Sequence, residues 1–190
     1  MSFEIVVIGA SLGGLSALEI ILGDLPPDFP LPIVIVQHRH KDSAKSLKAL
    51  VQTYTLLPVK EVEDKDEIIP GQIYLAPADY HVLVERGYFD LSTDVLVSYV
   101  RPSIDVLFES AADIYAEGVI GLILTGANED GTQGLKKIKA RGGITIVEDP
   151  STAHSPIMPA AAISDVVVDW ILPLPKISHL LINLCYSTGN

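Results

Sequence analysis

Cysteine is almost missing from this chain of 190 residues. Cys185 stands alone near the C-terminus, which rules out an internal disulfide framework and a cysteine-built zinc site. Long apolar runs are absent too: the hydrophobic residues, 48% of the total, fall into short stretches. None approaches the ~20 consecutive apolar residues that span a bilayer. No basic segment followed by a cleavable apolar stretch precedes the first expected strand, so the expected address is the cytosol. Basic residues are scarce, 13 Lys and Arg against 24 Asp and Glu, giving a formal net charge of −11. That balance opposes binding to nucleic acid or to anionic lipid, because neither counterion release nor attraction would be gained.

What is present is aliphatic, and its runs alternate between strand and helix character. A buried-type strand is expected over roughly Glu4–Gly9, and Leu15, Ala17, Leu18, Ile20, Ile21 and Leu22 mark a helix over roughly Gly13–Leu22. Pro26, Pro27, Pro30 and Pro32 break the chain before the β-branched run Ile33–Val36, as a strand covered on both faces would require. Ser43–Tyr54 is helix-patterned. Val59–Val62 and Gln72–Ala76 read as short strands, and His81–Glu85 and Tyr88–Ser92 as a hairpin about Arg86-Gly87. Asp90–Tyr99 has no clear period. Ile104, Leu107, Phe108, Ala111, Ile114 and Tyr115 mark one face of a helix opened by Pro102 or Ser103, with Gly118 as its C′ residue.

Further on, the pattern predicts a strand over Val119–Thr125, a helix over Leu135–Ala140 and a strand over Ile144–Val147. A short helix (Pro159–Ser164), a last strand (Val166–Asp169) and a closing helix (Leu174–Leu184) complete the chain. Strands alternating with helices imply a three-layer α/β fold. We expect a mostly parallel, doubly wound, Rossmann-like sheet with a β-hairpin insertion, as one domain over residues 1–190.

Gly9-Ala-Ser-Leu-Gly13 fits the G-x-S-x-G pattern, which holds a serine hydroxyl exposed on a tight strand-to-helix turn. The same letters allow two other readings. Gly9, Ser11 and Gly14 form a poor copy of the G-x-G-x-x-G phosphate cradle, and the glycines could equally serve only a tight turn. Two further loops leave expected strand ends with reactive groups: Gln37-His38-Arg39-His40 and Gly126-Ala-Asn-Glu-Asp130-Gly. A serine becomes a useful nucleophile when an imidazole takes its proton, and the imidazole works best when a carboxylate fixes its tautomer. Ser11, His38 and Asp130 supply the three types, in a chain order unlike that of the α/β-hydrolases. Glu129 and Asn128 compete with Asp130, which also suits a turn or helix cap. His40, His81, His154 and His179 read as surface or local hydrogen-bonding residues, and their loose spread makes no metal site.

Taken together, these residues resemble the catalytic domain of the chemotaxis receptor methylesterases (CheB). The resemblance rests on Ile8–Gly14, Val36-Gln-His38, Pro70–Pro77, His81, Arg101–Phe108, Leu122–Gly126, Glu129–Gly131 with Gly134, and Met158-Pro159 with Ala161–Ile163, in that order. It implies Ser11 as nucleophile, His38 as general base and then acid, and Asp130 as the group orienting it. The oxyanion donors it implies are the backbone amides of Leu12 and Ala127. The implied reaction is hydrolysis of glutamyl methyl esters, with deamidation of glutamines in many members, on the cytoplasmic helices of methyl-accepting chemotaxis receptors. No metal or organic cofactor is implied.

Four stretches flanking that site depart from the family pattern: Leu12, Ala127-Asn128, Arg39-His40 and Ser155-Pro156-Ile157. The regulatory receiver domain usual upstream is not in this sequence, which fits either a free-standing member or an excised domain. Related hydrolysis of another ester or amide, and a catalytically silent binding module, are the competing expectations. If His38 is the base, kcat/KM should rise through the histidine range, near ~6.5.

Overall fold

The computed structural model describes residues 2–39 and 46–186. Nine strands and six α-helices alternate along it. Seven strands form one parallel sheet: β1 (Ile5–Ala10), β2 (Ile33–Gln37), β3 (Val59–Glu61), β4 (Ile73–Leu75), β7 (Val119–Ile123), β8 (Ile144–Glu148) and β9 (Trp170–Leu172). Their spatial order is β3-β4-β2-β1-β7-β8-β9, and every pairing is parallel. The separate hairpin, β5 (His81–Glu85) with β6 (Tyr88–Ser92), is antiparallel.

The sheet is apolar on both faces because both are covered, the usual condition of a parallel sheet. Along β1, side chains alternate between two cores, as the strand period of two demands. Val6, Ile8 and Ala10 pack with Leu18, Ile21 and Leu22 of α1 (Gly14–Gly23), Val51 of α2 (Leu47–Gln52) and Ile177 and Leu181 of α6 (Leu174–Tyr186). Ile5 and Val7 face the other side. There they join the hairpin's Phe89, Leu107 and Phe108 of α3 (Ile104–Tyr115), Leu135 of α4 (Thr132–Ala140) and Met158 of α5 (Ile157–Asp165). The expected three-layer architecture with a hairpin insertion is therefore the observed one.

Several boundaries differ. The expected strand Val166–Asp169 is displaced to Trp170–Leu172. Val166 is instead the C-terminal cap of α5 and buried, Val167 is exposed, and Asp169 is tied to β8 by the Thr145 amide (2.9 Å) and hydroxyl (2.8 Å). The strand at Val119 ends at Ile123 rather than Thr125, although the Leu124 amide still donates to Gly9 O (2.9 Å) and Thr125 O accepts from the Ser11 amide (3.0 Å). Helix α4 starts three residues early, at Thr132, capped by Gly131. Helix α3 stops at Tyr115, ahead of Gly118: Ala116 takes a positive φ of 45°, and a short 3₁₀ turn, Ala116–Gly118, leads into β7. Of the expected helix over 43–54, the part at Leu47–Gln52 forms, with the Ser46 hydroxyl accepting from the Ala49 amide. Its first residues, and His40, lie outside the described residues.

Topology places the chemistry. From β1 the chain goes to β2, on to the edge strand β3 and back to β4 between them, then crosses to lay β7 on the other flank of β1. The carboxyl ends of β1, β2 and β7 thus meet where the winding direction reverses, the position at which open α/β sheets bind ligands. Ser11 follows β1, His38 follows β2, and the loop 124–131 follows β7.

Candidate active site

Ser11 sits one residue beyond β1, and its main chain extends the sheet's ladder. Its amide donates to Thr125 O at 3.0 Å, while its carbonyl accepts from the Gly14 amide (2.9 Å) and from Gln37 Nε2 (2.9 Å). Gly13, at φ +83°, turns the chain into α1, a conformation open to glycine at little cost. The neighbouring strand-end loop comes close: a methyl group at Gly126 would lie 3.0 Å from Ser11 Cβ and 2.5 Å from Met158 Cε.

A buried polar network fixes these two loops against each other. The Thr125 hydroxyl donates to Leu12 O (2.8 Å) and accepts from the Ser155 amide (2.8 Å). The Ser155 hydroxyl donates to Gly126 O (2.9 Å), and the Thr125 amide donates to Glu148 Oε2 (2.9 Å). Burial pushes the Glu148 carboxyl above its ordinary range. The peptides carrying the Leu12 and Ala127 amides are therefore anchored on both sides. Among the described residues, neither of those amides donates to another protein group, and an anchored, unengaged N–H pair is what a developing oxyanion needs.

His38 and Asp130 are brought together. Nε2 of His38 lies 2.8 Å from Asp130 Oδ2. Asp130 is buried, and four donors saturate it, two on each oxygen. His38 Nε2 and the Ile104 amide (2.6 Å) meet Oδ2, whereas the Ser103 hydroxyl (2.8 Å) and the Asp105 amide (3.1 Å) meet Oδ1. Burial alone would raise its pKa, but the hydrogen bonds from His38, Ile104 and Asp105 outweigh it and hold the carboxyl below the usual carboxylate range. An ionised, acceptor-only Asp130 requires the His38 proton on Nε2, so Nδ1 carries the free lone pair. Nδ1 in turn lies 3.2 Å from Asn128 Nδ2. Among the described residues the Ser11 hydroxyl makes no hydrogen bond; Ser11 and His38 instead line one open cleft of about 560 Å³.

The cleft's far wall is the end of the aperiodic stretch Asp90–Tyr99 together with the residues that follow it, 100–102. Leu96 and Tyr99 line it, with Ser98 and Tyr99 both at positive φ (49° and 65°). Arg101 ties the loop together, donating to Thr93 O (2.7 Å), Asp94 O (2.9 Å) and Asp79 Oδ1 (2.8 Å). His81 is buried rather than on the surface. It accepts from the Ser103 amide on Nδ1 (3.2 Å) and meets Val95 O through Nε2 (3.1 Å), a local hydrogen-bonding role that links this wall to the Ser103–Asp130 contact. His154 and His179 are exposed. Among the described residues, no group of three or more His, Cys, Asp or Glu side chains could hold a metal ion.

Sequence reasoning passed over four participants: Ser103, Asp105, Thr125 and Glu148. Their signal was a polar side chain within an otherwise apolar segment. Asp105 is the instructive one, because its Oδ1 accepts from the Gly131 (3.0 Å) and Gly134 (2.7 Å) amides and so caps α4 from α3. Burial raises its pKa from 3.8 to about 6, opposed by the Gly134 bond and assisted by the nearby Asp130 charge. Between those two pH values the unfolded chain has released this proton and the folded one retains it, so this group's contribution to stability falls as pH rises. Asp130 acts in the opposite sense: its contribution is present above the ordinary carboxylate range and is lost as pH falls. Asp105→Asn keeps the doubly accepting oxygen and removes the charge. We expect it to flatten the decline between about pH 4 and 6 and to leave the protein more stable at pH 7 by ~1–3 kcal/mol, read from urea unfolding at several pH values.

The family model described as CheB methylesterase matches residues 6–181. The chain belongs to the CheB methylesterase family. Among its CheB relatives, a Leptospira interrogans protein provisionally named protein-glutamate methylesterase/protein-glutamine glutaminase is 47% identical, over 97% of this chain and 96% of that protein. A Thermotoga maritima protein of the same name is 40% identical; the match takes in 97% of this chain and 55% of that protein. The crystal structure of the Thermotoga maritima CheB methylesterase catalytic domain superposes with a TM-score of 0.92 at 40% identity, covering 97% of this chain and all of that one.

Proposed function

We propose that this protein is a serine hydrolase that demethylates glutamyl methyl esters, and deamidates glutamines, on the cytoplasmic helices of chemotaxis receptors. The observation that carries the reading is the His38 Nε2–Asp130 Oδ2 bond at 2.8 Å on the same cleft as Ser11. The names of the relatives supply the substrate class.

In this mechanism Ser11 Oγ attacks the ester carbonyl as His38 Nδ1 takes its proton. Asp130 stabilises the resulting imidazolium through Nε2–H, and the Leu12 and Ala127 amides receive the oxyanion. His38 returns the proton to the departing methanol. Water, deprotonated by the same nitrogen, then cleaves the acyl-enzyme to free the glutamate carboxylate. No step calls on a metal or an organic cofactor. Among the described residues, no helix is long and apolar enough to cross a membrane.

The test is turnover of a receptor-derived helical peptide carrying a glutamyl methyl ester, with methanol release as the readout and a small activated ester as comparator. Methanol release with clear preference for the peptide is expected. Turnover of the small ester with none of the peptide would replace this substrate by another ester or amide. Failure of a fluorophosphonate to label Ser11 would remove the hydrolase reading altogether.

A further inference from the structure

The loop between β7 and α4 carries Asn128, and its side-chain amide is engaged at both ends. Asn128 Oδ1 accepts from the Asp130 backbone amide at 3.0 Å. With the oxygen fixed there, Nδ2 is the end that faces His38 Nδ1, at 3.2 Å. Nδ1 bears the free lone pair, because Nε2–H is committed to Asp130. Asn128 therefore donates into the lone pair that has to accept the Ser11 proton.

We infer that Asn128 is a positioning residue, holding the neutral His38 ring with Nδ1 unprotonated and yielding that nitrogen only when the serine proton arrives. The inference rests on the reading of His38 as the base. Both ring nitrogens select the same tautomer. A proton on Nδ1 would confront the Asn128 N–H donors and, with Nε2 bare, would set a lone pair against the Asp130 carboxylate. The Asn128 bond exists only for the neutral ring, since the imidazolium has no acceptor at Nδ1. It consequently favours the basic form at low pH, and competes with the Ser11 hydroxyl for one nitrogen.

Other charges near the ring stay in place when Asn128 is changed. Asp130 holds Nε2, Asp105 lies behind it, Arg39 is paired with Glu61 (3.1 Å), and Asp79 and Arg101 are paired across the cleft (2.8 Å). A difference between variants thus isolates the amide.

The experiment follows the His38 ring C–H resonances by NMR against pH, alongside kcat/KM against pH, for the wild type, Asn128→Ala and Asn128→Asp. In Asn128→Ala the ring should take up its proton about half to one pH unit higher than in the wild type, with the acid limb of kcat/KM moving equally, since one bond to the neutral form is lost. Asn128→Asp has the same shape and keeps the acceptor for the Asp130 amide, so the loop is preserved. Its shift should be larger and in the same direction, because a carboxylate favours imidazolium. Superimposable titrations in all three proteins would overturn the inference, and so would a lower kcat with an unmoved acid limb, the mark of a purely structural role. The NMR arm needs no turnover. An inactive wild type with shifted ring titrations would keep the Asn128 contact and discard the hydrolase reading.

Discussion

Ser11→Ala is expected to reduce methanol release by about 10⁴-fold or more while leaving the fold intact. The size follows from triads studied elsewhere, in which loss of the nucleophile leaves only the catalysis due to the oxyanion donors and binding. The intact fold follows from this structure. Among the described residues the Ser11 hydroxyl makes no hydrogen bond, so its removal orphans no partner. What holds the turn is main chain: the Ser11 amide on Thr125 O, the Ser11 carbonyl on Gly14 and Gln37, and the Leu12 carbonyl on Thr125 Oγ1. A thermal midpoint equal to the wild type's, within the ~0.5 kcal/mol typical of a change outside such networks, should accompany the lost activity. Residual turnover near wild type would remove Ser11 from the reaction.

Asp130→Asn should cost both activity and stability, and for one reason. The carboxylate receives two donors on each oxygen, and an amide of the same shape offers only one accepting end. Either way round, its NH₂ group confronts a backbone N–H: that of Ile104 beside His38, or that of Asp105 beside Ser103. If the NH₂ faces His38, the ring is driven to the tautomer protonated on Nδ1, and the base is lost. A fall in kcat of about 10⁴, the size seen when the equivalent change was made in a serine protease, is expected. The orphaned buried donor should lower stability by ~1–3 kcal/mol. Kinetics and denaturant unfolding on the same preparation separate the two losses. A variant with full stability and full activity would mean that Asp130 does not hold the imidazole.

The Asp105 and Asp130 effects oppose each other across the acid range, although the two residues lie in one network. Asp130 is charged and fully accepted, and Asp105 is buried with both N–H contacts on a single oxygen. The count and placement of donors separate them, together with the neighbouring charges: His38 beside Asp130, and Asp130 and Glu109 beside Asp105. The carboxylate that meets the His38 ring is the one whose charge the fold supports.

Hydrophobic periodicity by itself determined the class of fold, the hairpin to the residue, and, to within two residues, the strand ends from which the loops of Ser11, His38 and Asp130 leave. Those features depend on which residues must be buried, and burial on two faces leaves its mark on any seven-strand parallel sheet. It misplaced β9 because Val166–Val168 is as apolar as a strand, while which of two adjacent segments pairs with β8 depends on Thr145 holding Asp169, a contact between residues 24 apart. Tertiary structure alone decided the electrostatics. That Asp130 rather than Glu129 meets the imidazole and that Asn128 lies at Nδ1 follow from the end of β2 arriving beside the 124–131 loop, and that Ser103 and the Ile104 and Asp105 amides saturate Asp130 follows from the start of α3 arriving there. Local sequence specifies the residue types available at a loop. The partners that set their protonation come from distant segments, and only packing brings them within 3 Å or so, the range where hydrogen bonds form.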